Sequence, residues 1–268
     1  MRRRALSGPL TDDSLILDAE TIHYLCSVLR LGHEDRFIGF DGRGWERVFS
    51  LDCSGAMPIA LGVGDPYLGR RGAPVALCFA IPKGDKLDQV ARQITELGVA
   101  QLHLWSAERS IGVWKTQKIK QKIARLERVT REASRQSGRA DELQIYQPAR
   151  LSELIERHRG APIRLFLDPH ADQGWVSVGD SSPSVITAPE TESAEIMSAR
   201  AFQERHEDEV RIRCVLIVGP EGGISTSEQT QLREAGWAGV RLNSPVLRTE
   251  TAGVVACALA LDRLGYLA

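Results

Sequence analysis

Val215-Leu216-Ile217-Val218-Gly219-Pro220-Glu221-Gly222-Gly223-Ile224-Ser225 is the stretch on which the reading of this chain turns. Four aliphatic residues in a row form a strand buried on both faces, as strands of parallel sheets are. Three glycines then make a tight turn. Ser225, with Glu228 three residues on, opens a helix as a capping box. Further along, Val240-Arg241-Leu242 is a second strand, followed by Asn243-Ser244-Pro245-Val246-Leu247-Arg248-Thr249-Glu250-Thr251-Ala252. Two strand-loop-helix edges this close together predict one ligand site at the carboxyl ends of parallel strands.

The turn is not a Walker loop, which needs Gly-Lys-Ser/Thr, nor the dinucleotide fingerprint with its three spaced glycines. Glu221 within it opposes a phosphate and suits a neutral or cationic ligand. A plainer role also fits the glycines, a bend that folds the helix back on its strand. In the second loop Pro245 stiffens the backbone, and Arg248 precedes Thr249, the expected N-cap of a helix from Glu250 to Leu264. A cation at a helix start opposes the dipole, which marks Arg248 as a functional residue. Glu250 suits the first turn and reads as structural.

Upstream, strands and helices alternate from Val75 onward. Val75–Ile81 and Val99–Trp105 are continuous apolar strands, and between them Leu87, Val90, Ala91, Ile94 and Leu97 form one helix face closed by Gly98. A long helix over 116–137, a strand over 143–146, a helix ending near Gly160 and a strand over 163–168 follow. The pattern predicts an α/β fold with a mostly parallel sheet. The amino-terminal part is β-leaning, with a hairpin of Phe37–Phe40 and Trp45–Leu51 around Asp41-Gly42-Arg43-Gly44, a strand over 56–63 and a helix carrying Ile22, Leu25, Cys26 and Leu29. It reads as a small β-barrel. Residues 65–74 read as a linker, so the expected domains are 1–68 and 74–268. Residues 170–209 lose periodicity and read as an acidic insertion, either a mobile segment or a lid.

The chain of 268 residues is 43% hydrophobic and 26% charged, within the range of water-soluble globular proteins. Its longest apolar run, 254–261, is too short for a bilayer, and no signal-type segment follows Met1-Arg2-Arg3-Arg4, so a cytoplasmic protein is expected. Cys26, Cys53, Cys78, Cys214 and Cys257 show no metal or redox spacing, and no metal is expected. The net charge of −1 hides an asymmetry: residues 109–139 hold ten Lys/Arg against Glu127 and Glu132, while 170–209 hold nine Asp/Glu against Arg200 and Arg205. On the long helix Ile119, Ile123, Leu126, Val129 and Ala133 share one side, and Lys118, Lys120, Arg125, Arg128, Arg131, Arg135 and Arg139 the other. A stripe of one sign is either a solvated face or the footprint of a phosphate backbone, and the shortage of acids favours the latter.

The glycine turn together with Leu242-Asn243-Ser244-Pro245-Val246-Leu247-Arg248-Thr249-Glu250-Thr251-Ala252 resembles the SPOUT superfamily of knotted methyltransferases. Within it the chain is similar to the RsmE family, which methylates N3 of a uridine in 16S ribosomal RNA. His23 with Val28-Leu29-Arg30-Leu31, Thr95-Glu96-Leu97-Gly98-Val99, Glu108-Arg109-Ser110, and Glu132-Ala133 with Gln136-Ser137 and Arg139 extend the likeness over nearly the whole chain. Asn243 stands where the family usually has Gly; Asn also tolerates a left-handed backbone.

The resemblance implies a PUA-like β-barrel, a C-terminal trefoil knot, S-adenosylmethionine as cofactor, a homodimer, and 16S rRNA or the small ribosomal subunit as partner. It places Leu167, Gly219, Pro220, Glu221, Gly222, Gly223, Leu242, Asn243, Val246, Leu247 and Arg248 at the cofactor. Arg248 is the expected catalytic donor to charge developing on uracil, and Glu221 a second candidate as base or cofactor contact. Arg3, Arg30, Arg109, Arg125, Arg128, Arg131, Arg135 and Arg139 are the expected RNA contacts. Another RNA position such as a ribose 2′-oxygen, and an RNA-binding assembly factor without catalysis, stay open as alternatives.

Overall fold

The structure, a computed structural model, describes residues 4–6, 10–110, 114, 116–175, 210–242 and 244–267. Arg3, Asn243 and most of the acidic insertion lie outside the described residues. The chain divides into two units, which are described separately. The first draws on Met1–Arg71 and Glu132–Glu142, the second on Gly72–Arg131, Leu143–Ala188 and Val210–Ala268.

The first unit holds a five-stranded sheet of β1 (Arg4–Leu6), β2 (Ser14–Ile16), β3 (Arg36–Phe40), β4 (Trp45–Asp52) and β5 (Ile59–Leu68), in the order β1-β3-β4-β5-β2. The β3–β4 hairpin lies where expected, its turn held by Asp41 Oδ1, which accepts from the amides of Arg43 at 2.8 Å and Trp45 at 3.0 Å. Helix α1 (Ala19–Ile22) starts at Asp18, which accepts from Thr21 N, and continues into a π-helical turn over His23–Val28. Leu25, Phe37, Phe49, Leu51 and Ala60 form the core.

Two expectations need correction here. Asp65–Leu68 were assigned to a linker but continue β5, with Tyr67 opposite Glu46 and Leu68 opposite Trp45. The register shifts between Glu46 and Val48, a bulge that leaves room for Pro66, which has no N–H for a ladder. Arg139 does not lie on the basic helix stripe. The helix ends at Ser137 and Gly138, at φ +79°, turns the chain away, so the helical wheel no longer applies. Arg139 is 3% exposed and its Nε donates to Asp141 Oδ1 at 2.6 Å. The same segment meets the hairpin turn, where Glu142 N donates to Gly42 O at 2.8 Å.

The second unit is a six-stranded sheet in the order β11-β9-β10-β6-β7-β8. It comprises β6 (Ala73–Ala80), β7 (Val99–Trp105), β8 (Gln144–Ala149), β9 (Ile163–Leu167), β10 (Cys214–Val218) and β11 (Ala238–Val240), with every neighbouring pair parallel. Its helices are α2 (Lys86–Leu97), α3 (Thr116–Ser137, of which the part up to Arg131 belongs here), α4 (Leu151–Arg157), α5 (Thr226–Glu234) and α6 (Thr249–Arg263). Central strands covered on both faces explain why β6 and β10 are buried at every position. On one face Val75, Leu77, Phe79, Leu102, Leu104 and Leu216 pack against apolar residues of α2, α3 and α6. On the other Ala76, Cys78, Trp105, Phe166, Val215 and Ile217 pack against Leu154 of α4 and Leu232 of α5. Helix α6 comes so close to β6 that a Cβ on Gly253 would lie 2.9 Å from Phe79 Cε2. The strand expected at 240–242 begins earlier, because Gly236 at φ +80° ends the preceding turn and Ala238–Val240 take the register opposite Leu165–Leu167. Among the described residues no helix is long and apolar enough to cross a membrane.

Candidate active site

Since the strands of the second unit are parallel, the loops after β6, β7, β9, β10 and β11 all leave the same edge of the sheet. The glycine turn follows β10. Gly223 N donates to Pro220 O at 2.8 Å, and Gly223 has φ +73°, a conformation that costs a residue with a Cβ. A Cβ on Gly219 would lie 2.7 Å from Ile224 Cγ1 and 3.0 Å from Ile224 N, so the close return of the chain requires glycine there. The expected capping box is present. Glu228 N donates to Ser225 Oγ at 3.1 Å and Ser225 N to Glu228 Oε2 at 2.8 Å. The other carboxylate oxygen of Glu228 accepts from Glu108 N at 2.8 Å, so the loop after β7 is fastened to the start of α5. Next to it Arg109 Nη1 donates to Gly222 O at 3.1 Å. Beneath the turn Trp105 Nε1 donates to Val218 O at 3.2 Å.

The second loop follows β11. Arg248, not Thr249, occupies the N-cap, with φ −63° and ψ 150°, and its side chain makes no capping bond. Thr249 is the first helical residue and is 8% exposed. Arg248 is exposed, and its guanidinium has no ion pair or hydrogen bond among the described residues. Val246 is exposed, while Leu242, Leu247 and Leu167, the last residue of β9, are half-buried. The backbone beside Leu167 is fixed by Asp168, whose N donates to Val240 O at 3.0 Å and whose Oδ1 accepts from His170 N.

Lys86 joins the two loops. Its Nζ lies 3.2 Å from Glu221 Oε1 in the glycine turn and 3.3 Å from Glu250 Oε2 in the first turn of α6. Sequence reasoning did not single it out. The signal available was its place in Lys83-Gly84-Asp85-Lys86, the polar break between a buried strand and a helix at the same sheet edge. The Glu221 carboxyl is held below the usual carboxylate range by its own backbone N–H and by Lys86, against the effect of burial. Lys86 is raised by its hydrogen bond to Glu221 and then by Glu250. An acid kept ionised in this way is a poor proton acceptor, so Glu221 suits electrostatic contact better than the role of general base.

The basic helix is less uniform than its sequence. Arg125 Nη2 pairs with Asp88 at 2.7 Å and with Asp85 at 3.6 Å. In the first unit the Arg135 side chain is 10% exposed, pairs with Glu132 at 3.5 Å and lies 5.1 Å over the Tyr24 ring. Arg135 and Arg139 therefore do not present their charge to solvent. Lys118, Lys120 and Arg128 are exposed, Arg131 is half-buried, and Arg30 is exposed at φ 56°. No group of His, Cys, Asp and Glu among the described residues is arranged to hold a metal ion.

A family model described as an RNA methyltransferase domain matches residues 70–261, which include the whole of this sheet edge. The chain belongs to this RNA methyltransferase family. The likeness to the RsmE family drawn from the two loops is borne out. The ribosomal RNA small subunit methyltransferase E of Bacillus subtilis (strain 168) is 25% identical over 243 residues, covering 90% of this chain and 86% of that one. The structure of a ribosomal RNA small subunit methyltransferase E from Neisseria gonorrhoeae, bound to S-adenosyl methionine, superposes with a TM-score of 0.73 at 20% identity, covering 97% and 96% of the two chains. That of Lpg2936 from Legionella pneumophila, in complex with the same cofactor, superposes at 0.76 with 23% identity and the same coverage. At these identities the two structures establish a shared fold for this member of the RNA methyltransferase family.

Proposed function

We propose that this chain transfers a methyl group from S-adenosylmethionine to ribosomal RNA of the small subunit, at N3 of a uridine in 16S rRNA. The observation that carries the reading is the bridge of Lys86 to Glu221 and Glu250, which brings the glycine turn and the start of α6 to one rim. Lys86, Glu221 and Glu250 together carry a net charge of −1, and the Glu221 carboxylate in the turn suits a sulfonium better than a phosphate, while Arg109 at Gly222 and Arg248 at the N-cap of α6 add positive charge beside them. Leu167, Gly219, Pro220, Gly222, Gly223, Leu242, Asn243, Val246 and Leu247 would hold the adenosine part, largely through backbone groups, as the family likeness implies.

The cofactor, when bound, supplies an activated methyl group for in-line displacement. The protein positions the acceptor and offsets charge. Loss of the N3 proton spreads negative charge to the flanking uracil carbonyls, and the exposed guanidinium of Arg248, which has no partner among the described residues, would donate to one of them. N3 lies on the pairing edge, so the target base must be unpaired. Arg3, Arg30, Lys118, Lys120, Arg128 and Arg131 are the proposed phosphate contacts.

The reading extends to the whole chain. Residues 1–68 serve as a PUA-like RNA-binding barrel and 74–268 as the knotted methyltransferase domain of a cytoplasmic homodimer. Support for a knot comes from β11, which lies outside β9 at the sheet edge, while α6 packs against α2, β6 and β10. The test is calorimetry with S-adenosylmethionine, followed by transfer of labelled methyl to isolated small subunits. Binding and label in 16S rRNA are expected. No binding and no label would remove the reading.

A further inference from the structure

We propose that Lys86 is a positioning residue, a latch that fixes the glycine turn against the first turn of α6 and thereby sets the shape of the methyl-donor pocket. The pocket's ligand rests on the function proposed above; the latch itself is a property of the protein alone. The three residues come from separate segments. Lys86 opens α2 after β6, Glu221 lies in the turn after β10, and Glu250 lies in α6 after β11. Strands β6 and β10 are neighbours, which brings the first two loops together, and the packing of α6 on α2 brings the third.

The geometry is that of a bridge rather than of a single pair. Nζ donates to Glu221 Oε1 at 3.2 Å and lies 3.3 Å from Glu250 Oε2, an ion pair in which the buried Glu250 oxygen has no hydrogen-bond geometry. An ammonium, with three donors on a rotatable head, can serve two acceptors that point from different directions, which a planar guanidinium does less well. The Glu250 side chain is 13% exposed, so its charge is largely withdrawn from water and depends on its partner. An exposed ion pair would contribute little. A pair with one member this enclosed, joining two loops that share no backbone hydrogen bond among the described residues, controls where those loops stand.

The test compares Lys86→Met, which keeps the aliphatic stem, with Lys86→Arg, with Glu221→Gln and with the double variant Lys86→Met, Glu221→Gln. In the ligand-free protein, hydrogen exchange of the amides at 219, 221–223 and 249–252 should quicken about tenfold in Lys86→Met and return part of the way in Lys86→Arg. Exchange within β6 and β10 should stay unchanged, which separates unlatching from general loss of fold. For methyl transfer, Lys86→Met should raise KM for S-adenosylmethionine about tenfold with kcat within about twofold. The double variant should be no worse than the more affected single variant, because the second change removes a contact already lost. Unchanged exchange in Lys86→Met, or independent multiplication of the two effects, would overturn the latch. Failure of the wild-type protein to bind S-adenosylmethionine would instead overturn the functional reading, and the exchange comparison would still decide the role of Lys86.

Discussion

Arg109 donates to the carbonyl of Gly222 at 3.1 Å, and its Cβ is what a side chain on Gly222 would meet, at 3.2 Å. A residue that its sequence context marks as a phosphate contact is thus a brace of the glycine turn. Arg109→Ala should raise the KM for S-adenosylmethionine several-fold while changing RNA affinity less than about twofold. Filter binding and steady-state kinetics on the same preparation check this. A fall in RNA affinity with an unaltered KM for the cofactor would return Arg109 to the RNA contacts.

The turn also makes a prediction about stability. Gly219→Ala places a methyl group 2.7 Å from Ile224 Cγ1 and 3.0 Å from the Ile224 amide, and the backbone contact cannot be relieved by a rotamer change. Overpacking of this kind costs about 1–3 kcal/mol. Urea unfolding should show that loss, and cofactor binding should weaken with it. Stability equal to wild type would mean that the return of the chain from Gly219 to Ile224 is looser than described.

Two arginines read alike in the sequence should behave differently. Arg128 is exposed on α3, so Arg128→Glu should weaken RNA binding and flatten its salt dependence while leaving the melting temperature nearly unchanged. Arg139 is buried and its Nε donates to Asp141 Oδ1 at 2.6 Å, so Arg139→Ala removes a short charged contact from a buried carboxylate and should destabilise by about 1–3 kcal/mol. Thermal melts and salt titrations of the two variants separate these roles. A stable Arg139→Ala with impaired RNA binding would reverse the assignment.

Acid sensitivity should arise away from the candidate site, at a buried pair of histidines. The His103 ring stacks on Tyr146 at 4.1 Å and meets the His158 ring edge-on at 4.6 Å. Arg157 Nη1 lies 3.1 Å from His103 Nδ1, so Nδ1 accepts and the neutral ring carries its proton on Nε2, toward Gln101 Oε1 at 3.0 Å. Burial, then His158 and Arg157, push His103 down to about 3, and burial followed by Arg157 pushes His158 down to about 4. The unfolded chain therefore binds more protons than the folded one between those values and the ordinary histidine pKa of about 6.5. Stability should be complete above pH 6.5 and fall as the pH drops through that window, by at most roughly 1.4 kcal/mol per unit for each histidine. Melting curves from pH 8 to pH 4 check the sign, and His103→Gln should flatten the slope. An equal slope in that variant would place the acid sensitivity elsewhere.

What could be read from the chain followed from how local each signal is. The runs 75–81 and 215–218 are apolar at every position because both faces of their strands are covered, and that alone predicts a parallel sheet. The Ser225–Glu228 capping box and the left-handed Gly98, at φ +92°, are contacts within one turn of chain and were equally legible. Pro66 looked like a linker residue because a bulge opposite Glu46 is a property of two strands at once. The charge of Arg139 looked available for the same reason, since the helix end at Ser137 and the partner Asp141 decide it. Lys86 was missed because its meaning depends on Glu221 and Glu250, which approach it only through the order of strands in the sheet.

The central claim is tested most directly by nucleoside mass mapping of 16S rRNA from a strain lacking this chain, from its parent, and from the deletion strain carrying either the wild-type chain or Arg248→Ala. The account predicts that one N3-methyluridine disappears on deletion and returns with the wild-type chain. It should stay absent with Arg248→Ala, although that variant binds S-adenosylmethionine within a few-fold of wild type. An rRNA methylation pattern unchanged by deletion, or the loss of a ribose methyl group in its place, would contradict it.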